Sequence, residues 1–459
     1  MNPKTNMTQG KPTQLLLSFA IPLMFGNVFQ QFYTVADTVI ISRGIGMHAL
    51  AALGCVDWLC WMLTSSIQGF SQGFSIRVSQ KYGEGNLNEM KVFVGQSAVL
   101  AAILATLYLI FGQLTLTLLF KLIRVPADIY GLAEVYMRVL LMGIPAIIIY
   151  NYCSAILRAI GDSKTPLKAM VIASILNIIL DFIAIFVLHL GIASAAAATV
   201  IAQFLSGIIC ILKIKNTDIL HFGKSELKKN ARIFKDLIYL GILSAAKNIT
   251  IGLGGMTVQS VVNGFGTGFI AGFTATNKLF GLLEIAALSY GYAVTTYVGQ
   301  NYGAKQYKRI QEGVRSAMFL ATVTSVIIAA SMFLSGRELT SLFISPEIPE
   351  LVAEAKYISY FYLCTLSVFL PILYLLYVFL SALQGMGYTF STFISGIIEL
   401  AIRIIVSCII GWTGFQIGIF GAEIFAWIGA TTFLVLQYRK KFYSCTLEAS
   451  DNVKESKAV

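Results

Sequence analysis

The sequence predicts an all-α polytopic membrane protein of about twelve transmembrane helices, arranged as two parallel six-helix repeats. Three observations predict it. Apolar residues make up 57% of the 459 residues and charged residues only 12%, against about 25% in a soluble domain, so much of the surface must meet lipid. Apolar stretches long enough for a bilayer, roughly 20 residues at about 1.5 Å of rise each, recur along nearly the whole chain. The third observation is that the first and second halves resemble each other.

Taken in order, the first six spans are expected at Gln14–Ser42, Ala49–Ser79, Val92–Phe120, Tyr130–Ala159, Pro166–Leu188 and Ile192–Lys213. The second six are Ile233–Ser260, Gly268–Gln300, Gln311–Leu334, Glu350–Leu383, Thr389–Trp412 and Gln416–Tyr438. The polar start, with Lys4 and Lys11, leads into an apolar stretch longer than a signal-peptide core and without a small-residue cleavage pattern. It reads as a retained first helix.

Alternate loops carry the basic residues. Lys81, Lys91, Arg158, Lys164 and Lys168 fall on one side. Lys224, Lys228, Lys229, Arg232, Lys235, Lys305, Lys308, Arg309 and Arg439–Lys441 join them. The opposite loops hold only Arg43, Lys121, Arg124 and Arg337. The positive-inside rule then puts both termini in the cytoplasm of a multi-pass plasma (inner) membrane protein. The long hydrophilic stretch near the midpoint divides the chain. Residues 1–215 are expected to form an N-lobe, 216–232 a cytoplasmic connector, 233–438 a C-lobe and 439–459 a cytoplasmic tail.

The halves superpose by sequence. Laying Gly46–Gly83 over Gly266–Gly303 brings Gln80, Tyr82 and Gly83 onto Gln300, Tyr302 and Gly303. Laying Gly143–Gly161 over Phe369–Gly387 brings Pro145 onto Pro371, and Leu157 onto Leu383. With an even number of spans each, both halves insert in the same sense, and substrate sites commonly lie between such repeats.

Polar groups inside the spans mark the candidate site, because an ionisable residue there costs roughly 2.5–3.5 kcal/mol on insertion scales. The first span carries Gln30, Thr34 and Asp37 on one stripe. The fifth carries Asn177 and Asp181 on one face, and the sixth Thr199 and Gln203. Two carboxylates, an amide oxygen and a hydroxyl make an oxygen cage for Na+, or a proton acceptor whose paired carboxylates repel. A hydrogen-bonded network holding three helices together is the structural alternative. For Asp37 alone, a place at the helix end is another.

In the second half Glu399 and Arg403 stand one turn apart and can neutralise each other, with Arg403 aligned on Asn177. Lys247, Lys278, Glu284 and Glu423 also fall in or near spans. The two glutamates either line a cavity or pair with the lysines. Asp57, beside Trp58, reads as an interface residue at the start of the second span. The glycines from Gly252 to Gly268 read as close packing or bending rather than a phosphate loop.

Other classes are disfavoured. The net charge of +11 is spread over alternate loops rather than gathered into a nucleic-acid-binding patch. His48, His189 and His221 lie far apart, the seven cysteines form no CxxC pair, and there is no Walker-type loop. A nucleic-acid partner, an ATP-driven pump and an enzyme are not expected, and no cofactor is implied beyond a coupling ion.

Four segments carry a resemblance: FAIPLMFGNVFQQFYTVADTVIISRGIG (Phe19–Gly46), LRAIGDSKTPL (Leu157–Leu167), GIASAAAATVIA (Gly191–Ala202) and YVGQNYGAKQ (Tyr297–Gln306). With them the chain resembles the multidrug and toxic compound extrusion (MATE) transporters over essentially its whole length. Its spacing is that of the DinF-like branch, and its opening is similar to MepA-like exporters. The resemblance implies two lobes arranged as a V around a cavity, and antiport of drugs against inward Na+ or H+. It implies a coupling role for Asp37, Asn177, Asp181 and Thr199, with Na+ possible at those four. Where the NorM-like branch has acidic residues in the seventh helix, this chain has Lys247 and Asn248, so a single coupling site is expected in the first lobe. An aromatic cavity with Gln30, Tyr33, Thr34, Gln68 and Glu284 as contacts would suit small amphipathic organic cations. The chain is expected to be a monomer with membrane lipid around it. A flippase for a lipid-linked, phosphate-bearing precursor is the alternative, for which Lys247, Lys278 and Arg403 would supply the positive charge.

Overall fold

In a bilayer core every backbone N–H and C=O must be satisfied within the segment or by a closed partner. Apolar segments of this length therefore fold as helices. The computed structural model describes residues 6–223, 226–227, 230–344 and 349–458, and every regular element among them is helical. Lys4, Lys224, Lys228 and Lys229, counted above among the basic residues, lie outside the described residues.

The helices of the first half are α1 (Pro12–Gly44), α2 (Met47–Glu84), α3 (Leu87–Leu122), α4 (Ala127–Met142), α5 (Ile144–Ala159), α6 (Lys164–Phe182) and α7 (Ile192–Lys215). Those of the second are α8 (Ala231–Val262), α9 (Thr267–Gly303), α10 (Tyr307–Ser341), α11 (Pro349–Gly385), α12 (Thr389–Thr413) and α13 (Gly421–Ala458). Eleven of these segments are long and apolar enough to cross a membrane, and α4 with α5 makes a twelfth, bent by 48°.

That bend corrects the expectation of one continuous fourth span. Pro145, in the first turn of α5, has no N–H to continue the helical ladder. Gly143, at the break, lies so close to Val200 of α7 that a Cβ there would collide with it. Pro371, its repeat counterpart, sits inside the unbroken α11.

The fifth span is regular only to Phe182. It continues as a π-helical turn, Ile183–Val187, closed by Leu188 N–H donating to Ile183 O at 2.9 Å. At the other end of the chain, α13 does not stop at the last apolar residue but runs on to Ala458.

The chain divides into two compact units, one containing Ile21–Ala245 and the other Met7–Ala20 with Ala246–Val459. Helices α1 and α8 are each shared between them. In the first unit, Gly69 and Gly73 of α2 form a GxxxG pair against α8. A Cβ on Gly69 would stand 2.7 Å from Ala245 Cα, and one on Gly73 2.6 Å from Leu240 O. Arg77 clamps the same helix through Asp236, at 2.6 and 2.9 Å.

In the second unit, Phe273, Tyr362, Phe420 and Phe269 stack in series, with centroids 4.9, 4.4 and 5.8 Å apart. The same unit binds the segment leading into α1. Met7 N donates to Gln300 Oε1 at 2.8 Å, and Asn301 Nδ2 donates to Met7 O at 3.1 Å. Arg309 Nη2 donates to Met7 O and to Gly10 O at 3.2 and 3.0 Å. Two polar residues of the YVGQNYG segment thus secure backbone rather than substrate.

Candidate cation-binding site

Three helices of the first unit supply the candidate site. On α1, Thr34 and Thr38 spend their hydroxyls on carbonyls one turn back, Gln30 O at 3.0 Å and Thr34 O at 2.8 Å. Asp37 has no such local partner for Oδ1. Its carboxylate stands beside that of Asp181 on α6, a residue with no solvent exposure. Asn177, one turn earlier and 1% exposed, points its Nδ2 at Thr199 Oγ1 of α7, 3.4 Å away. The structure thus brings together all four residues proposed from the sequence for the cage.

The acceptors outnumber the donors. Asp37 Oδ1, both Asp181 oxygens, Asn177 Oδ1 and Gln203 Oε1 are buried and accept no hydrogen bond from the protein. Buried acceptors without donors are costly, and adjacent carboxylates repel besides. A proton shared between the carboxylates would relieve both, and so would a hard cation, which takes oxygen ligands of this kind. The residues present fit either ion.

The neighbourhood adds two groups. Tyr33 lies within reach of Gln30, Thr34, Gln203 and Asp37. Tyr136 of α4 interacts electrostatically with Cys60, Asp37, Tyr33 and Asp181. Sequence spacing pairs Gln203 with Thr199. Tyr136 had no signal, because it sits on the half of the fourth span whose separate direction depends on the break at Gly143. The π-helical turn follows Asp181 directly, and such turns recur at functional sites. A Cβ on Gly44 would collide with Ile185 of that turn, so the end of α1 is seated against it.

The remaining candidates lie elsewhere. Gln68 is exposed on α2. Glu284 of α9 belongs to the second unit, where it accepts from the Tyr377 hydroxyl. Among the described residues neither Glu284 nor Glu423 forms a close ion pair with a lysine, although Glu284 interacts electrostatically with Lys247. Arg403 Nε and Nη2 donate to Glu423 at 3.0 and 2.7 Å, and Nη2 also meets Glu399 at 3.4 Å. Lys247 interacts electrostatically with Glu399 and Glu284. Three carboxylates therefore surround two cations. Gly254 leaves room for Arg403, since a Cβ there would sit 2.9 Å from its Cδ. Gly396 does the same for Lys247, at 3.1 Å from Cγ.

A helical membrane protein of two repeats with buried ionisable groups inside its spans is the build of a transporter. The MatE family model matches residues 22–183 and again 244–409, once in each repeat. The chain belongs to the MatE family of multidrug and toxic compound extrusion transporters. Among its relatives, the probable multidrug resistance protein YpnP of Bacillus subtilis is 30% identical, over 78% of this chain and 80% of that protein. The FAD transporter of Shewanella oneidensis is 25% identical over 72% and 74%. The multidrug export protein MepA of Staphylococcus aureus is 22% identical over 87% and 88%. A MOP superfamily transporter from Pyrococcus furiosus has the same fold, with a TM-score of 0.91 at 23% identity over 97% of this chain and 99% of that one.

Proposed function

We propose that this chain is a secondary antiporter of the DinF-like branch. It exports amphipathic organic cations and drugs across the plasma membrane in exchange for inward Na+ or H+. Asp37 and Asp181 take up the coupling ion, Asn177 and Thr199 complete its oxygen shell, and Gln30, Tyr33 and Thr34 of α1 contact substrate. The chain acts as a monomer with both termini in the cytoplasm. The observation that carries the reading is the fully buried Asp181 carboxylate beside the half-buried Asp37, with undonated oxygens around them.

The mechanism is differential binding. An ion between Asp37 and Asp181 removes their repulsion and lets α1 and α6 close up. The ion-free form favours their separation. Helix α1 can change packing because Pro22 lies inside it, and because Gly26 faces Leu167 of α6 without a side chain, a Cβ there standing 3.4 Å from Leu167 Cδ1. Antiport then requires only that ion and drug prefer different packings.

A lipid-precursor flippase would need cationic groups free to hold a phosphate. Lys247 and Arg403 stand among Glu284, Glu399 and Glu423 instead, which supports the exporter reading, while Lys278, the third cation counted for a flippase, is exposed on α9. Family membership does not choose the substrate, since one relative is named for FAD.

The test is ethidium efflux from proteoliposomes, for wild type and Asp37→Asn, under separate Na+ and H+ gradients. Efflux driven by one gradient and lost in the variant is expected. Efflux in Asp37→Asn with its gradient dependence intact would refute the coupling site.

A further inference from the structure

Helix α2 exposes one narrow face that mixes polar groups with an open indole. Gly54, Asp57, Trp61 and Gln68 are exposed along it. Thr64 lies between the last two and returns its hydroxyl to Cys60 O at 2.9 Å. Asp57, Trp61, Thr64 and Gln68 fall at i, i+4, i+7 and i+11, one continuous stripe. On α3 the exposed large side chains include Ile103, Leu107, Ile110, Phe111, Leu114 and Leu118, with the hydroxyls of Thr106 and Thr117 between them and no acid within the apolar stretch. A carboxylate, an amide and a hydroxyl on one exposed stripe of an apolar helix face water instead.

The stripe also carries recognition chemistry. Trp61 is 41% exposed and is held edge-on to Trp58 at a centroid distance of 5.9 Å. That contact fixes the ring and leaves it open one helical turn from the Asp57 carboxylate. An anionic group beside an open indole suits a flat organic cation. The stripe is linked electrostatically to the cation site through α4. Asp57 acts electrostatically on Cys60, whose Sγ is 3.3 Å from Met137 Sδ of α4. The preceding residue, Tyr136, interacts electrostatically with Asp37 and Asp181.

We propose that Asp57 and Trp61 form a second, outer subsite for aromatic organic cations, set one helix away from the coupling carboxylates. The subsite rests on the exporter reading. Its role is specificity: it holds the positive charge of the substrate, and Gln68 extends the polar path along α2.

The experiment measures ethidium transport in proteoliposomes and equilibrium binding of tetraphenylphosphonium to purified protein, for wild type, Asp57→Asn, Trp61→Ala and Asp57→Glu. The expected result is a rise of about tenfold in KM and in Kd for Asp57→Asn and for Trp61→Ala, with the maximal rate retained. Asp57→Glu keeps the charge and should remain within about twofold of wild type. If Asp57→Asn does not fold, Trp61→Ala against Asp57→Glu carries the same comparison. Wild-type transport with unchanged KM and Kd in the substituted proteins overturns the subsite alone. Wild-type protein that neither transports ethidium nor binds tetraphenylphosphonium overturns the exporter reading, and the subsite with it.

Discussion

Asp181 shows how a single residue makes the site. Fully buried, with neither oxygen accepting a hydrogen bond, it costs stability until something positive arrives. Ligand that binds only the folded form stabilises by RT ln(1 + [L]/Kd), about 2.7 kcal/mol at a hundredfold excess over Kd. Wild-type protein in detergent should therefore melt at higher temperature as its coupling ion is added, Na+ at fixed pH or protons at fixed Na+. Asp181→Asn should be as stable as ion-free wild type or more so, and should not respond to the ion. A variant that still gains stability with the ion would place the binding elsewhere. Arg403 presents the opposite case, a buried charge already paired. Removing one partner of such a pair costs about 3–5 kcal/mol, whereas replacing both by apolar groups is often nearly neutral. Glu423→Met should lower the melting temperature markedly, and Arg403→Met with Glu423→Met should recover most of the loss. Equal melting of the single variant and wild type would mean that Glu399 suffices for Arg403.

At the scale of elements, the spacing of polar residues was legible and the irregularities were not. Helical periodicity put Asn177 with Asp181, and Thr199 with Gln203, on single faces, and the cost of polar groups inside spans together with the family resemblance joined them to Asp37. The bend between α4 and α5 could not, because Pro145 has a counterpart in Pro371 that leaves α11 unbroken. The difference lies in Gly143, whose missing Cβ admits Val200, a contact between distant parts of the chain. Likewise Gly69 and Gly73 look unremarkable in sequence until α8 crosses them at backbone distance. Gly73→Leu would drive a side chain into Leu240 O and Gly241 Cα, and overpacking of this kind costs about 1–3 kcal/mol. The same substitution at Gly131, where a Cβ meets nothing within 4 Å, should be tolerated. Thermal melts of the two variants in one detergent make the comparison, and equal stability would show that the α2–α8 crossing can relax.

For the whole molecule, one family model matches both halves while their buried chemistry differs. Asn177 contributes an undonated oxygen where its repeat counterpart Arg403 contributes a positive charge already held by carboxylates. Duplication explains the shared helices, and divergence inside them leaves one half with a cluster of undonated acceptors and the other with carboxylates set among cations. If the halves insert in the same sense, equivalent turns must emerge on the same side of the membrane. His48, in the first turn of α2, and Asn263, just before α9, are both exposed and occupy equivalent turns. The reading puts both outside, opposite the Lys305 turn with its Lys308 and Arg309 neighbours. In a background with the native cysteines replaced, His48→Cys and Asn263→Cys should react with a membrane-impermeant maleimide in intact cells. Lys305→Cys should react only after the cells are opened. Labelling of His48→Cys and Asn263→Cys from opposite sides would require an odd number of crossings between them, contradicting parallel repeats. Labelling of all three from outside would reverse the distribution of charge that assigns both termini to the cytoplasm.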